Sequence, residues 1–124
     1  MLDEDKARIP LAKVRPLFLQ SNFQDEVQLM DHLKLAAHVN EALREVSEGG
    51  RDPALVYIDT PVFPDAYMLV GRYRIAGNSM NVRIRLFKGE KEAGSFAVED
   101  SMVKVDNIAK QIVDHAQRLL QDAR

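Results

Sequence analysis

From Tyr67 to Glu99 the chain reads YMLVGRYRIAGNSMNVRIRLFKGEKEAGSFAVE, with apolar and polar positions alternating around two short polar breaks. Alternation with period two marks strands that bury one face. The stretch therefore predicts three antiparallel strands in succession, turning at Ala76 to Ser79 and again at Lys88 to Lys91, where glycine and asparagine favour tight reversals. After it, Val105, Ile108, Ala109, Ile112, Val113, Ala116, Leu119 and Leu120 recur at i, i+3, i+4 and i+7. That spacing predicts an amphipathic helix over Val105 to Asp122 whose apolar stripe faces the sheet, with Asp106 or Ser101 helping to cap its start.

Ahead of the meander the pattern is less regular. Val27, Met30, Leu33, Ala37, Leu43 and Val46 fall near helical spacing and predict a long helix over Gln24 to Val46. Ser21 or Asn22 would cap it, Asp25 and Glu26 would lie in its first turn, and Gly49 and Gly50 would end it. Ala54 to Ile58 is a short apolar run that predicts a buried strand, followed by the proline-bearing loop Asp59 to Ala66. Between Arg8 and Gln20, Val14, Leu17, Phe18 and Leu19 predict a short strand, and the missing N–H groups of Pro10 and Pro16 argue for an edge or irregular position. Residues 1–7 are charged and expected to be disordered. The order β-α-β-β-β-β-α predicts a single α+β domain over residues 1–124: a two-layer structure with a mixed, mostly antiparallel sheet of about five strands and two helices on one face. The charged ends are compatible with an excised piece of a larger multidomain protein.

The alternation also places charge. A tight turn setting Ala76 opposite Asn81 pairs Ile75 with Val82 and Tyr73 with Ile84 on the core side. The same register sets Arg74 opposite Arg83 and Arg72 opposite Arg85, so four arginines share the outer face of one hairpin. Like charges directly opposite cost a few tenths to about 1 kcal/mol. Glu99 is one expected partner, because Phe96 and Val98 turn to the core and send Ala97 and Glu99 to the arginine side; Lys88 and Glu92 are expected to pair beside the second turn. Such a face is ordinarily solvated, with arginine stems covering apolar surface. It is also the candidate contact for an acidic partner segment.

Composition narrows the chemistry. A net charge of −2 argues against nucleic-acid binding by bulk charge; nucleic-acid binding through the arginine face is the further alternative, for which Phe87 is the only aromatic expected on that face for base stacking. With no cysteine there is no disulfide, thiolate metal site or cysteine nucleophile. Neither a secretory leader nor an apolar run near the ~18 residues of a membrane span is present, so a cytoplasmic location is expected. His32, His38 and His115 are expected on helix surfaces, and the six-residue separation of the first two does not suit a helical metal pair. Asp59 and Asp65 flank a loop after a strand, the setting of an alternative hydrolase or transferase site, but no base or second acid is placed beside them. Gly71 and Gly77 lack the spacing and lysine of a phosphate loop; Gly71 is expected to make room for a helix side chain or to mark a bulge. No catalytic residue, metal or cofactor is expected.

Tyr67, Leu69, Gly71 and Tyr73, in the spacing Y-x-L-x-G-x-Y, followed by Gly77, by Val82 and Leu86 in V-x-x-x-L, and by Gly89, resemble the hairpin of TolB amino-terminal-like domains. FlgO-like and CsgG-like bacterial proteins are similar. The proline loop and closing helix fit as well, whereas the first strand departs from the family's clean apolar run at Pro10 and Pro16. The resemblance implies a non-enzymatic interaction or accessory domain, of the kind appended to bacterial signalling, defence or protease-associated proteins, and it carries over no catalytic residues. Partner-binding residues expected on this reading are Arg72, Arg74, Arg83 and Arg85.

Overall fold

The computed structural model describes residues 15–50, 53–101 and 104–122. Pro10, Val14 and the expected disordered residues 1–7 lie outside them. Among the described residues six strands form one mixed sheet: β1 (Leu17–Phe18), β2 (Asn22–Asp25), β3 (Val56–Tyr57), β4 (Tyr67–Ala76), β5 (Ser79–Lys88) and β6 (Lys91–Ser101). Helices α1 (Leu35–Ser47) and α2 (Val105–Asp122) pack on one face. The order across the sheet is β3-β1-β4-β5-β6, with β2 also pairing with β4. The α+β two-layer architecture is therefore as expected, with six strands rather than about five.

The meander forms as its pattern predicts. Leu69 and Tyr73 of β4, Met80, Val82, Ile84 and Leu86 of β5 and Val98 of β6 are buried against Leu35, Val39 and Leu43 of α1 and Ile108, Ile112 and Ala116 of α2. The helix stripe from Val105 packs where its spacing places it. Both reversals are two-residue turns, with Gly77 and Gly89 at φ 63° in the first central position. A residue with positive φ there is the requirement of a type II′ hairpin turn. This tight geometry corrects the register. Ala76 pairs with Ser79 rather than Asn81, so Tyr73 faces Val82 and Ile75 faces Met80. The shift is two residues, which keeps every side chain on its predicted face. It leaves one direct arginine pair, Arg72 with Arg83, while Arg74 faces Asn81 and Arg85 faces Val70.

The helix expected from Gln24 is also corrected. Residues 22–25 instead run parallel to β4, with Phe23 beside Gly71 and Asp25 beside Tyr73, and bury Phe23 and Asp25. Asp25 ends the strand: its Oδ1 accepts the backbone N–H groups of Val27 at 2.7 Å and Gln28 at 2.9 Å. Leu29 and Lys34 adopt φ 59° and 57°, left-handed values that a continuous right-handed helix excludes. The helix starts only at Leu35, where Asp31 accepts the N–H groups of Leu35 and Ala36 at 2.8 and 2.9 Å. Val27 and Met30, counted as helix-core positions by spacing, are exposed. Ser21 caps nothing; its N–H and hydroxyl both donate to Asn40 Oδ1 of α1 and so tie the break between β1 and β2 to the helix layer.

β1 is not an edge. It lies between β3 and β4, parallel to both, and the carbonyl of Pro16 accepts the N–H of Val56 at 3.0 Å. Gly71 makes room, but for the Phe23 ring of the neighbouring strand rather than for a helix side chain. Among the described residues no helix is long and apolar enough to cross a membrane.

Candidate functional site

The face of the sheet away from the helices carries Arg72 and Arg74 on β4 and Arg83 and Arg85 on β5, all exposed. The hairpin register brings the four together, as the alternation predicts. Their partners differ from those expected. Glu26, just beyond β2, reaches Arg74 Nε at 3.2 Å and Arg83 at 3.9 Å. Glu92 takes both the Nε and a terminal nitrogen of Arg85, at 3.0 and 2.7 Å. Glu99 instead accepts from the Ser79 hydroxyl at 3.2 Å, and Lys88 lies over the Tyr67 ring at 5.6 Å rather than pairing with Glu92. Arg72 has no carboxylate within ion-pair distance among the described residues.

The arginines border an open concavity of about 750 Å³ across β4, β5 and β6. Its lining includes Arg72, Arg83, Arg85 and Glu26 together with Gly71, Ser95 and Ala97. Phe87 is already covered, with the Arg85 guanidinium 4.9 Å from its ring centre.

Glu26 was not legible as part of this surface. Its neighbours suggested a helix start, and its position follows from β2 pairing with β4, which sets Glu26 N–H on the Tyr73 carbonyl at 2.8 Å. A second polar group lies on the opposite side of the same strand end. His32 Nε2 is 2.9 Å from Asp25 Oδ2, and the Tyr73 hydroxyl donates to Asp31 Oδ1 at 2.8 Å while accepting the Leu33 N–H at 3.3 Å. His32 beside Asp25, with the N–H groups of Gln28 and Val27, holds that carboxyl below the usual carboxylate value, and burial raises the Tyr73 phenol. Every oxygen here is engaged in holding the loop between β2 and α1. His32 is thus in a loop, not on a helix. His115 is on α2, stacked on Phe96 at 5.2 Å, and His38 is exposed on α1.

Asp59 and Asp65 do not converge in one hydrogen-bonded group among the described residues. Asp59 Oδ1 accepts from Gln20 at 2.8 Å and from the Tyr57 hydroxyl at 2.9 Å, with Arg44 at 3.6 Å from its other oxygen. Gln20 and Tyr57 lower the Asp59 carboxyl, while burial and the nearby Asp59 push the Tyr57 phenol up to about 12. Asp65 is exposed at φ 57°. Among the described residues no three His, Cys, Asp or Glu side chains are grouped to hold a metal ion.

No protein-family model matches the chain, and no curated protein matches it in sequence. Solved structures do match its shape. TolB from Acinetobacter baumannii superposes with a TM-score of 0.60 at 10% identity, over 86% of this chain and 28% of that one. Protein XCC0632 from Xanthomonas campestris, of family DUF330, superposes with a TM-score of 0.59 at 8% identity, over 90% of this chain and 89% of that one. The chain thus has an α+β fold like that found within TolB and in the DUF330 protein, and it spans little more than a quarter of the TolB chain.

Proposed function

We propose that this chain is a non-catalytic protein-interaction or accessory domain that works in the cytoplasm within a larger bacterial signalling, defence or protease-associated assembly. Its contact is the arginine face, and Arg72, Arg74, Arg83 and Arg85 receive an acidic segment of a partner or of another domain of the same assembly. The observation that carries this reading is incomplete neutralisation: Arg72 lacks a carboxylate partner among the described residues, and Arg83 reaches one only at 3.9 Å, beside an open concavity. A likeness of fold to part of TolB and to the DUF330 protein supports an accessory domain. The kinship to FlgO-like and CsgG-like proteins belongs to the same reading and rests on the spacing of Tyr67, Leu69, Gly71 and Tyr73.

The test replaces all four arginines by glutamine. The side chains are exposed, so the circular dichroism spectrum and urea midpoint stay near those of the parent. Affinity capture from the native host, quantified for a partner identified with the parent chain, is expected to lose that partner with the variant. Undiminished capture by a folded variant overturns the assignment of the site.

A further inference from the structure

The two borders of the sheet are built differently. On one side the border is formed by β3, two residues long, and by β2, four residues long and paired with β4, short edges of the kind by which proteins avoid unwanted pairing. On the other side β6 runs for eleven residues, Lys91–Ser101, and among the described residues pairs with β5 alone. Its turn end is guarded by Lys91, Glu92 and a bulge that leaves Ala93 unpaired. From Gly94 to Val98 there is neither proline nor charge, and Ser95 and Ala97 are small and exposed.

The register shows which backbone groups are open. A two-residue turn makes Ala76 and Ser79 a hydrogen-bonded pair. Bonding alternates along antiparallel strands, so Ser79 and the odd residues of β5 bond to β4 while Val82, Ile84 and Leu86 bond to β6. Their β6 partners Val98, Phe96 and Gly94 are thereby satisfied. The N–H and carbonyl groups of Ser95, Ala97 and Glu99 then point away from the sheet. Among the described residues they find no backbone partner.

These same residues carry their side chains on the arginine face. Ser95 is opposite Arg85 and Ala97 is opposite Arg83. Arg85 already crosses to β6, where Glu92 grips it, and Arg83 is 75% exposed. A strand added to β6 would lie about 9.6 Å from β5, two strand spacings. A glutamate on it and an arginine from β5 meet over Ser95 and Ala97.

We infer that β6 is a strand-addition site for an extended segment with acidic residues at alternate positions, which pairs antiparallel with β6 so that its acidic residues lie opposite Ser95 and Ala97 and its carboxylates meet Arg83 and Arg85, with an uncharged residue opposite Glu99. The inference rests on the reading of the arginine face as a contact for an acidic partner and adds the mode of binding. In an antiparallel ladder, residues that exchange hydrogen bonds with Ser95, Ala97 and Glu99 have side chains on the same face as theirs. The backbone amides that bind at Ser95 and Ala97 are therefore those of the acidic residues.

The probe is a blocked, fluorescein-labelled decapeptide alternating glutamate and valine, titrated with the full chain at low ionic strength and followed by anisotropy. Methylating the glutamate amide nitrogens is expected to weaken binding tenfold or more, and methylating the valine amide nitrogens by less than threefold. Ala97→Pro removes one outward N–H without touching the β5 ladder, a placement edge strands tolerate, and is also expected to cost tenfold or more. Equal effects of the two methylated sets overturn the inference. If Arg83→Gln and Arg85→Gln weaken the peptide but Ala97→Pro and both methylations do not, the arginine contact stands and strand addition falls. If none of these changes matters, both fall. If the parent is a dimer by light scattering, Ala97→Pro is a monomer and the peptide does not bind, the edge serves a second copy of the chain and the inference is overturned.

Discussion

Replacing Gly71 by alanine tests how β2 is held in the sheet. Gly71 is the Cα partner of Phe23 across β2 and β4. A Cβ at this position would meet Phe23 Cε2 at 2.5 Å, Phe23 Cδ2 at 2.8 Å and the Arg83 carbonyl oxygen at 2.8 Å. The Phe23 ring can turn only by leaving its packed rotamer, and the contact with Arg83 is with backbone, so β4 and β5 must also spread. Overpacking of this kind costs roughly 1–3 kcal/mol, and with two obstructions the upper half of the range applies. Gly71→Ala is therefore expected to lower stability by about 2–3 kcal/mol, read from urea unfolding by far-ultraviolet circular dichroism with an unchanged denaturant slope. Phe23→Val removes both clashing ring atoms and costs about 2–3 kcal/mol, short of the ~3–5 kcal/mol of complete truncation. In that background only the Arg83 contact remains, so the added cost of Gly71→Ala falls to about 1 kcal/mol and the pair is coupled by at least about 1 kcal/mol. A neutral Gly71→Ala, or single effects that add to within about 0.5 kcal/mol, would refute the packing of Phe23 over Gly71.

The carboxyl of Asp25 is held below its ordinary value of 3.8, first by His32 and then by the N–H groups of Gln28 and Val27, so its contribution to stability is present above pH 3.8 and is lost as pH falls through the depressed folded value. Asp25→Asn is accordingly expected to lower the urea midpoint at neutral pH and to flatten its decline in acid; a decline parallel to that of the parent would contradict this. Val27, Leu29 and Met30 stand 76%, 60% and 57% exposed, so serine at each is expected to change stability by less than about 0.5 kcal/mol. Losses above 2 kcal/mol at Val27 or Met30, measured the same way, would restore the buried helix that the spacing of those two suggests.

Much of this architecture is written in local pattern. The meander and the closing helix each bury one face of a regular element, and period two or period 3.6 is visible without knowing what lies opposite. The arginine face was legible for the same reason. A register wrong by two residues still leaves Arg72, Arg74, Arg83 and Arg85 on one side, because a side chain's face depends only on parity. Which arginine faces which, however, depends on the number of residues in the turn, and the positive φ of Gly77 closes it two residues tighter than the pattern alone required.

The segment from Ser21 to Lys34 shows what the chain leaves to its tertiary structure. Val27, Met30 and Leu33 suit a helix by spacing, and Asp25 and Glu26 suit its first turn. What makes residues 22–25 a strand is the free edge of β4 at Val70 to Tyr73, a partner remote in sequence. Parallel pairing leaves no turn signal between its strands. Once that pairing forms, Phe23 fills the space over Gly71, Asp25 closes the turn, Asp31 starts the helix, and Glu26 comes to Arg74 from 48 residues away. The sequence by itself determined the elements whose periodicity is local and the face on which the arginines stand. Only the folded sheet decided the pairing of β2, the carboxylates that meet those arginines, and which of its edges was left open.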